Sequence, residues 1–262
     1  MRRTIAKYSA FAAVAAAKAL REPGELYGRV VFFAVVLGVF TSLWQAVGEA
    51  GMPLATDPRT LVWYLAATEW ILLSAPPVHV DLQESIRRGD VACQLGRPVS
   101  FPGAAFAEGL GLLAVRAPVL GVTAFTCAWW FTSWTPPFHV FVRIVPLGLL
   151  AAAVITGLCL AIGLLAFWLH DVSPVYWVWQ KLLFVLGGLM LPLQVYPEFV
   201  RRAAAFTPFP SVLGDPASFV LQDSGADVTT LAWHLVLWGS LTALSVWWLF
   251  RRAVGALTIN GG

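Results

Sequence analysis

The amino-acid sequence predicts an all-α integral membrane protein with six transmembrane helices. Of its 262 residues, 59% are hydrophobic and 12% are charged, and the mean hydropathy is +0.76. So few charged side chains cannot cover the surface of a soluble globule. Apolar runs of about 20 residues, the length that crosses a bilayer as a helix, recur along the chain. We therefore expect residues 1–262 to form a single transmembrane domain, with no room for a separate catalytic domain.

The first residues, 3–21, predict an interfacial helix. At about 100° per residue, four basic side chains share an arc of roughly 60° and the apolar side chains face away from it. These basic residues are Arg3, Lys7, Lys18 and Arg21. Such a helix lies in the headgroup plane of a membrane. The alternative is a plain cytoplasmic extension of the first span.

The apolar runs predict where the six spans lie. Residues 103–131 are too long for one span and include Glu108 and Arg116, so the first turns of this helix are expected at the cytoplasmic surface. The predicted spans cover residues 29–47, 60–78, 113–131, 144–169, 175–193 and 230–250. Residues 194–222 carry several prolines among aromatic and acidic residues, which predicts short, partly re-entrant helices at the outer interface.

The distribution of Lys and Arg predicts the orientation, since short cytoplasmic loops are rich in both. With both termini in the cytoplasm, four arginines lie outside: Arg59, Arg143, Arg201 and Arg202. Eleven basic residues then lie inside: Arg2, Arg3, Lys7, Lys18, Arg21, Arg29, Arg87, Arg88, Arg97, Arg251 and Arg252. The protein is accordingly expected in the cytoplasmic (inner) membrane.

A charged segment, residues 81–100, interrupts the apolar chain and reads DLQESIRRGDVACQLGRPVS. Its arginines predict a cytoplasmic position. The segment divides at Gly89, after which Asp90 can cap a short helix over residues 91–95. An ordinary solvated loop is the alternative. The apolar side chains of Ile86, Val91 and Leu95 favour the helical interpretation, because they need a surface to pack against.

No catalytic or metal-binding motif is found in the sequence. The four His and three Cys residues are scattered, without the spacing of metal ligands. No glycine-rich loop ends in Gly-Lys-Ser/Thr, so we expect ATP and Mg²⁺ to bind only to a partner subunit, and this chain to bind no cofactor. The net charge of +3 does not suggest nucleic acid.

Three ionisable residues within the predicted spans are candidates for a pathway or a subunit interface: Glu69, Arg116 and Lys181. Charges are costly in lipid and usually have a function there. Glu69 lies near the middle of the second span, whereas the other two lie near the cytoplasmic boundary. Glu69 is interpreted as lining an interface or polar cavity, as forming a structural ion pair, or as coupling to protons.

Taken in order, several motifs resemble the membrane subunits of ABC-2-type transporters, in the branch of about 260 residues that usually occurs as two related subunits with one ATPase. The resemblance covers nearly the whole chain and departs from the pattern at Gly96, where a bulkier apolar residue is expected. The motifs are Ile86-Arg87-Arg88-Gly89-Asp90-Val91, Leu95-Gly96-Arg97-Pro98-Val99, Ala166-Phe167-Trp168, Gly187-Gly188, Leu191-Pro192, Tyr196-Pro197, Thr207-Pro208-Phe209-Pro210, Asp215-Pro216 and Gly261-Gly262.

The resemblance implies a role for each region. Residues 84–96 would be a coupling helix that docks on the ATPase, and helix 3–21 would also contact it. Residues 194–222 would close the outer exit. Two permease subunits, identical or different, would work with two ATPase copies in an ABC exporter. The implied coupling residues are Glu84, Ile86, Arg87, Arg88, Asp90, Val91 and Leu95.

Two other functions stay open from the residues alone. A secondary transporter would need ion sites near the midplane, where Glu69 is the one candidate. A membrane scaffold without transport would need none. The aromatic-rich spans, with few polar residues, favour an amphipathic or lipid-like substrate over a small ion.

Overall fold

The protein is described here by a computed structural model covering residues 2–49, 57–91, 96, 99–221 and 227–260. The chain is 85% helix, and no strand occurs among the described residues. The α-helices are α1 (Arg2–Arg21), α2 (Gly24–Glu49), α3 (Pro58–Ser74), α4 (Val78–Arg88), α5 (Phe101–Thr132), α6 (Phe138–Leu164), α7 (Ser173–Leu186), α8 (Glu198–Ala205), α9 (Asp215–Ser218) and α10 (Val228–Asn260).

Five helical segments are long and apolar enough to cross a membrane: Gly24–Gly48, Pro58–Arg88, Phe101–Thr132, Phe138–Phe167 and Val228–Gly255. They contain the first, second, third and sixth predicted spans and, except for residues 168 and 169, the fourth. A proline break lies within the second segment, at the Ala75-Pro76-Pro77 link between α3 and α4. The chain is therefore an all-helical, multi-pass membrane protein.

The fifth predicted span, residues 175–193, is not confirmed as a single helix. Its helix α7 has 14 residues and ends at Leu186, with Gly187 as its C-cap. At 1.5 Å per residue it is about 21 Å long, less than the roughly 30 Å of a bilayer core. Gly188 has φ +67°, a left-handed conformation that glycine adopts readily and that stops a right-handed helix.

Residues 193–221 form short helices separated by prolines, as predicted for the broken segment. A 3₁₀ turn (Leu193–Val195) and the exposed α8 come first. A π-helix (Pro210–Gly214) and α9 follow, and nearly every residue from 209 to 220 is buried. Their re-entrant position relative to a membrane stays a prediction.

Helix α3 lies at the centre of the bundle, against α2, α5 and α6. The Trp70 indole N–H donates to the Ala117 carbonyl of α5 at 2.8 Å. Gly148 of α6 leaves room for the Trp70 ring, since a Cβ there would lie 2.4 Å from it. Nearer the start of α3, the Trp63 indole donates to Thr132 Oγ1 (3.2 Å) and the Trp134 carbonyl (3.0 Å).

Helix α1 packs along the first half of α5. A Cβ at Gly111 would lie 2.1 Å from the Ala12 carbonyl oxygen, so the two helix backbones approach each other closely there. The Tyr8 hydroxyl accepts a hydrogen bond from the Ser100 N–H at 3.2 Å. The helix predicted at residues 3–21 is therefore formed, and one of its faces is attached to the bundle.

Candidate functional site

The charged segment forms two helical pieces that meet at Gly89. Helix α4 begins at Val78, six residues before the predicted Glu84 start, and ends where Gly89 takes φ +77°. The Gly89 N–H donates to the Ile86 carbonyl at 3.1 Å. Residues 90 and 91 are helical again, so Asp90 lies within this second piece. Residues 92–95, 97 and 98 lie outside the described residues, and with them the predicted position of Leu95.

One face of α4 packs tightly against the ends of α6 and α7. A Cβ at Gly163 would lie 2.8 Å from Leu82 Cδ2 and 2.9 Å from His79 Cα, so α4 sits directly on the α6 backbone. The His79 ring stacks on Tyr176 of α7, with ring centroids 3.8 Å apart. Because α6 and α7 both pack against α4, a displacement of this helix would displace them as well.

A side chain of α4 also holds the loop between α6 and α7. Gln83 Oε1 accepts a hydrogen bond from the Val172 N–H at 2.7 Å. In the same loop, the Asp171 carboxylate accepts hydrogen bonds from the Ser173 N–H (3.0 Å) and hydroxyl (2.7 Å). These bonds lower the pKa of Asp171, since they stabilise its ionised form. The sequence did not indicate a role for Gln83 or His79. Their partners, Val172 and Tyr176, lie far away along the chain, where no local pattern identifies them.

The opposite face of α4 is charged and exposed. Glu84 and Arg88 form a surface ion pair with 3.0 Å between their atoms. Arg87 and Asp90 are exposed beside them. The apolar candidates differ, because Ile86 is half-buried against the core and Val91 is 3% exposed. The chain itself therefore covers Val91, and the charged residues are the ones left exposed on this face.

Of the basic residues of α1, Lys18 lies near α4, close to Asp81. Lys7, Lys18 and Arg21 are exposed. The side chain of Arg3 lies outside the described part of the chain. Lys18 lines a cavity of about 900 Å³ that is bounded by residues of α1, α4 and α5.

Arg116 pairs with Glu25 of α2. It is 5% exposed, and its Nη2 donates to both carboxylate oxygens of Glu25, each at 2.8 Å. Glu25 also pairs with Arg29 at 2.9 Å, and Arg29 donates to the Leu73 carbonyl of α3 at 3.0 Å. This network joins α5, α2 and α3. Glu25 lies 91 residues from Arg116 in the sequence, so no local pattern predicts this ion pair.

Glu69 and Lys181 are not brought together. Glu69 is 7% exposed on α3, and no hydrogen bond or ion pair to it occurs within the described residues. The Lys181 ammonium lies over the rings of Trp177 (5.6 Å) and Phe184 (5.2 Å). Neither Arg116 nor Lys181 therefore forms an ion pair with Glu69.

On the far side of α3, two hydroxyls hold the turn after α7. The Tyr64 hydroxyl donates to the Gly188 carbonyl at 2.5 Å, and the Thr68 hydroxyl donates to the Leu189 carbonyl at 2.7 Å. A Cβ at Gly214 would lie 2.5 Å from the Gly187 carbonyl oxygen, so the buried π-helix packs directly on this turn. Helix α3 thus connects the turn with α4.

The fold defines a multi-pass membrane protein: a bundle of apolar helices with a charged helix fixed to its core. A family model described as "ABC-2 family transporter protein" matches residues 71–261. The chain belongs to this family. The match includes α4 and everything after it, whereas α1, α2 and most of α3 precede it. Membrane subunits of this family generally pair with ATPase subunits. No curated protein matches the chain.

Proposed function

We propose that the chain is the permease subunit of an ABC exporter, driven by a separate ATPase that docks on α4. The observation that carries the proposal is the two-faced packing of α4. Its exposed face carries Glu84, Arg87 and Arg88, while its other face packs on the backbone of α6 at Gly163. A displacement of α4 by the ATPase would therefore be transmitted directly to α6, with no flexible segment between them.

The proposal includes the assembly and the orientation. Two permease subunits, identical or related, form the pathway, and each contacts one of two ATPase copies that bind ATP and Mg²⁺. Both termini and α4 lie in the cytoplasm, with α1 in the headgroup plane. In this arrangement α7, the turn at Gly187-Gly188 and the buried residues 209–220 replace the missing length of the fifth span and close the outer end.

The decisive experiment measures association with the ATPase subunit. The triple variant Arg87→Ala, Arg88→Ala, Asp90→Ala is co-expressed with the ATPase that co-purifies with the wild-type chain. We expect association and stimulated ATP hydrolysis to fall, because charge pairs at an interface guide docking. The control is Arg201→Ala, Arg202→Ala on the exposed face of α8. Undiminished association and stimulation in the α4 variant would overturn the proposed docking site.

Cysteine labelling tests the proposed orientation separately. With the three native cysteines replaced by serine, a cysteine at Arg87 should react with a membrane-impermeant reagent only after the membrane is opened. A cysteine at Arg201 should react in intact cells. The reverse pattern would contradict the orientation while leaving the ATPase contact testable.

A further inference from the structure

A groove bounded by α5, α6 and α10 runs along the side of the bundle. Its volume is about 530 Å³, within the range that bound small molecules occupy. On α10 its lining extends from Leu235 to Phe250, about 22 Å at 1.5 Å per residue. One end lies near the start of α5, where the rings of Phe101 and Phe250 stack with centroids 5.9 Å apart. Val236 and Trp247 on its lining are about half exposed, so the groove is open to its surroundings.

The wall of this groove is apolar. No charged side chain lines it among the described residues. Ser240 and Thr242 line it, but each hydroxyl donates to a carbonyl of α10 itself at 2.7 Å. The three helices that bound the groove belong to candidate spans, and the span of α10 is 17% buried over its most apolar 18 residues. The groove therefore faces lipid, and a hydrocarbon chain matches its wall.

The end of the groove near the start of α5 carries a positive charge. The Arg251 guanidinium lies 4.7 Å from the centroid of the Trp247 ring, which lines the groove. No ion pair to Arg251 occurs within the part of the chain that the structure describes. The next residue, Arg252, lies over Trp248 at 5.5 Å, and Trp248 is outside the lining. Of the two arginines, Arg251 is therefore the one placed to meet an anionic group at this end.

We propose that the groove binds an anionic phospholipid, with one acyl chain along α10 and its phosphate on Arg251. A leaflet is half of a hydrocarbon core of roughly 30 Å, so the groove is long enough for the chain. A guanidinium binds a phosphate through two parallel N–H···O bonds. A lipid with a net negative charge binds better than a zwitterionic one, because the cationic group of a zwitterion is repelled by Arg251 and Arg252.

The headgroup gives this site its selectivity. Lipid tails are as apolar as the wall, so a chain that enters the groove gains packing contacts but no hydrophobic free energy. The pairing of phosphate with Arg251 is the contribution that differs between lipids. Because the site lies within one chain, the inference rests on the membrane-spanning fold and not on the proposed contact with an ATPase.

The test measures lipid retention by native mass spectrometry. The full-length chain is placed in nanodiscs of equal parts phosphatidylglycerol and phosphatidylcholine, and the lipids that remain bound on release are counted. We expect wild type to retain phosphatidylglycerol preferentially. Arg251→Gln should lower that preference about tenfold, since charge-assisted hydrogen bonds are the strong ones. Arg252→Gln is the matched control and should keep the preference, because it removes the same charge beside the groove.

A second pair of variants tests the groove itself. Ala243 lines the groove, so Ala243→Trp fills it and should remove the preference for phosphatidylglycerol. The next residue, Leu244, is 58% exposed and lies outside the lining, so Leu244→Trp should bind lipid as wild type does. Arg251→Gln changes an exposed side chain, and therefore tests the inference even where Ala243→Trp does not fold.

Three outcomes would overturn the inference. Equal retention of the two lipids by wild type would remove the argument from charge. An effect of Arg252→Gln as large as that of Arg251→Gln would show that surface charge in general attracts the lipid. A dimer mass that Ala243→Trp abolishes and Leu244→Trp leaves intact would show that a second copy of the chain occupies the groove.

Discussion

Helices α3 and α10 belong to candidate spans of the same mean hydropathy, 1.2, yet they occupy opposite environments. Of the most apolar 18 residues, 83% are buried in the segment that contains α3, against 17% in the segment that contains α10. Hydropathy cannot distinguish the two, since lipid tails are as apolar as a protein core. Mean hydropathy therefore identifies a candidate span in this protein, and packing decides whether that span lies at the centre of the bundle.

The two helices also differ in the contacts they make. Tyr64, Thr68 and Trp70 of α3 each donate a hydrogen bond to a main-chain carbonyl of another segment. On α10 the large side chains of Trp233 and Trp247 are 67% and 51% exposed. Substitutions in or against α3 should therefore cost stability, and equivalent changes at α10 should not.

The largest effect is expected when a glycine that packs against α3 is replaced by alanine. The same replacement on α10 is the control. Gly148→Ala places a methyl group 2.4 Å from the Trp70 ring, and overpacking a core costs about 1–3 kcal/mol. Gly239→Ala on α10 meets Val154 Cγ2 at an ordinary 3.5 Å and gains helix propensity. The midpoint of thermal unfolding in detergent should fall for the first variant and hold or rise for the second. Equal midpoints would contradict the central position of α3.

The next effect concerns the hydroxyls of α3 that hold the turn after α7. Tyr64→Phe or Thr68→Val leaves a buried carbonyl without its donor, at about 1–2 kcal/mol each. Thr123→Val on α5 is the control, because its exposed hydroxyl bonds only to the Val119 carbonyl of its own helix. The midpoint of thermal unfolding should fall for Tyr64→Phe and Thr68→Val and should stay unchanged for Thr123→Val. A control as destabilising as Tyr64→Phe would show that these bonds add nothing specific.

A smaller effect, of opposite sign, is expected at Glu69. Its carboxyl is buried on α3 and has no described partner, so Glu69→Gln removes a poorly solvated acid. The unfolding midpoint of the isolated chain should hold or rise. Measuring the variant in the assembled complex as well detects an interface role, since lower stability there alone would indicate a cation from a neighbouring subunit.

The smallest effect is a dependence on pH at the exposed start of α10. Asp227 accepts hydrogen bonds from the Thr229 and Thr230 hydroxyls and from the Thr230 N–H, and these lower its pKa below the ordinary 3.8. The stabilisation is fully present above pH 3.8 and is lost as the pH falls through the lowered pKa. Backbone amide hydrogen exchange in the first turn of α10 should quicken as the pH falls from 3.8 through the lowered pKa of Asp227. The Asp227→Asn variant should show no such change.

Much of the fold could be predicted from local patterns. Apolar runs identified five spans, and prolines identified the broken segment 194–222. The motif around Gly89 identified the charged surface of α4, because a left-handed glycine and exposed arginines are local features. The family match confirms the resemblance over residues 71–261. The length of the fifth span was not predicted correctly. Gly187-Gly188 has the same hydropathy whether it bends a helix or ends one, so hydropathy could not show that the helix stops there.

Hydropathy and charge are properties of each residue and its neighbours, so they were enough to predict a bundle of apolar helices with one charged helix. Only the tertiary structure decided that α3 is central, that Arg116 pairs with Glu25, and that Val91 is covered by its own chain. The physical reason is that a bilayer and a protein core solvate apolar side chains almost alike. Burial and pairing depend on residues distant in the chain, and only packing brings those together.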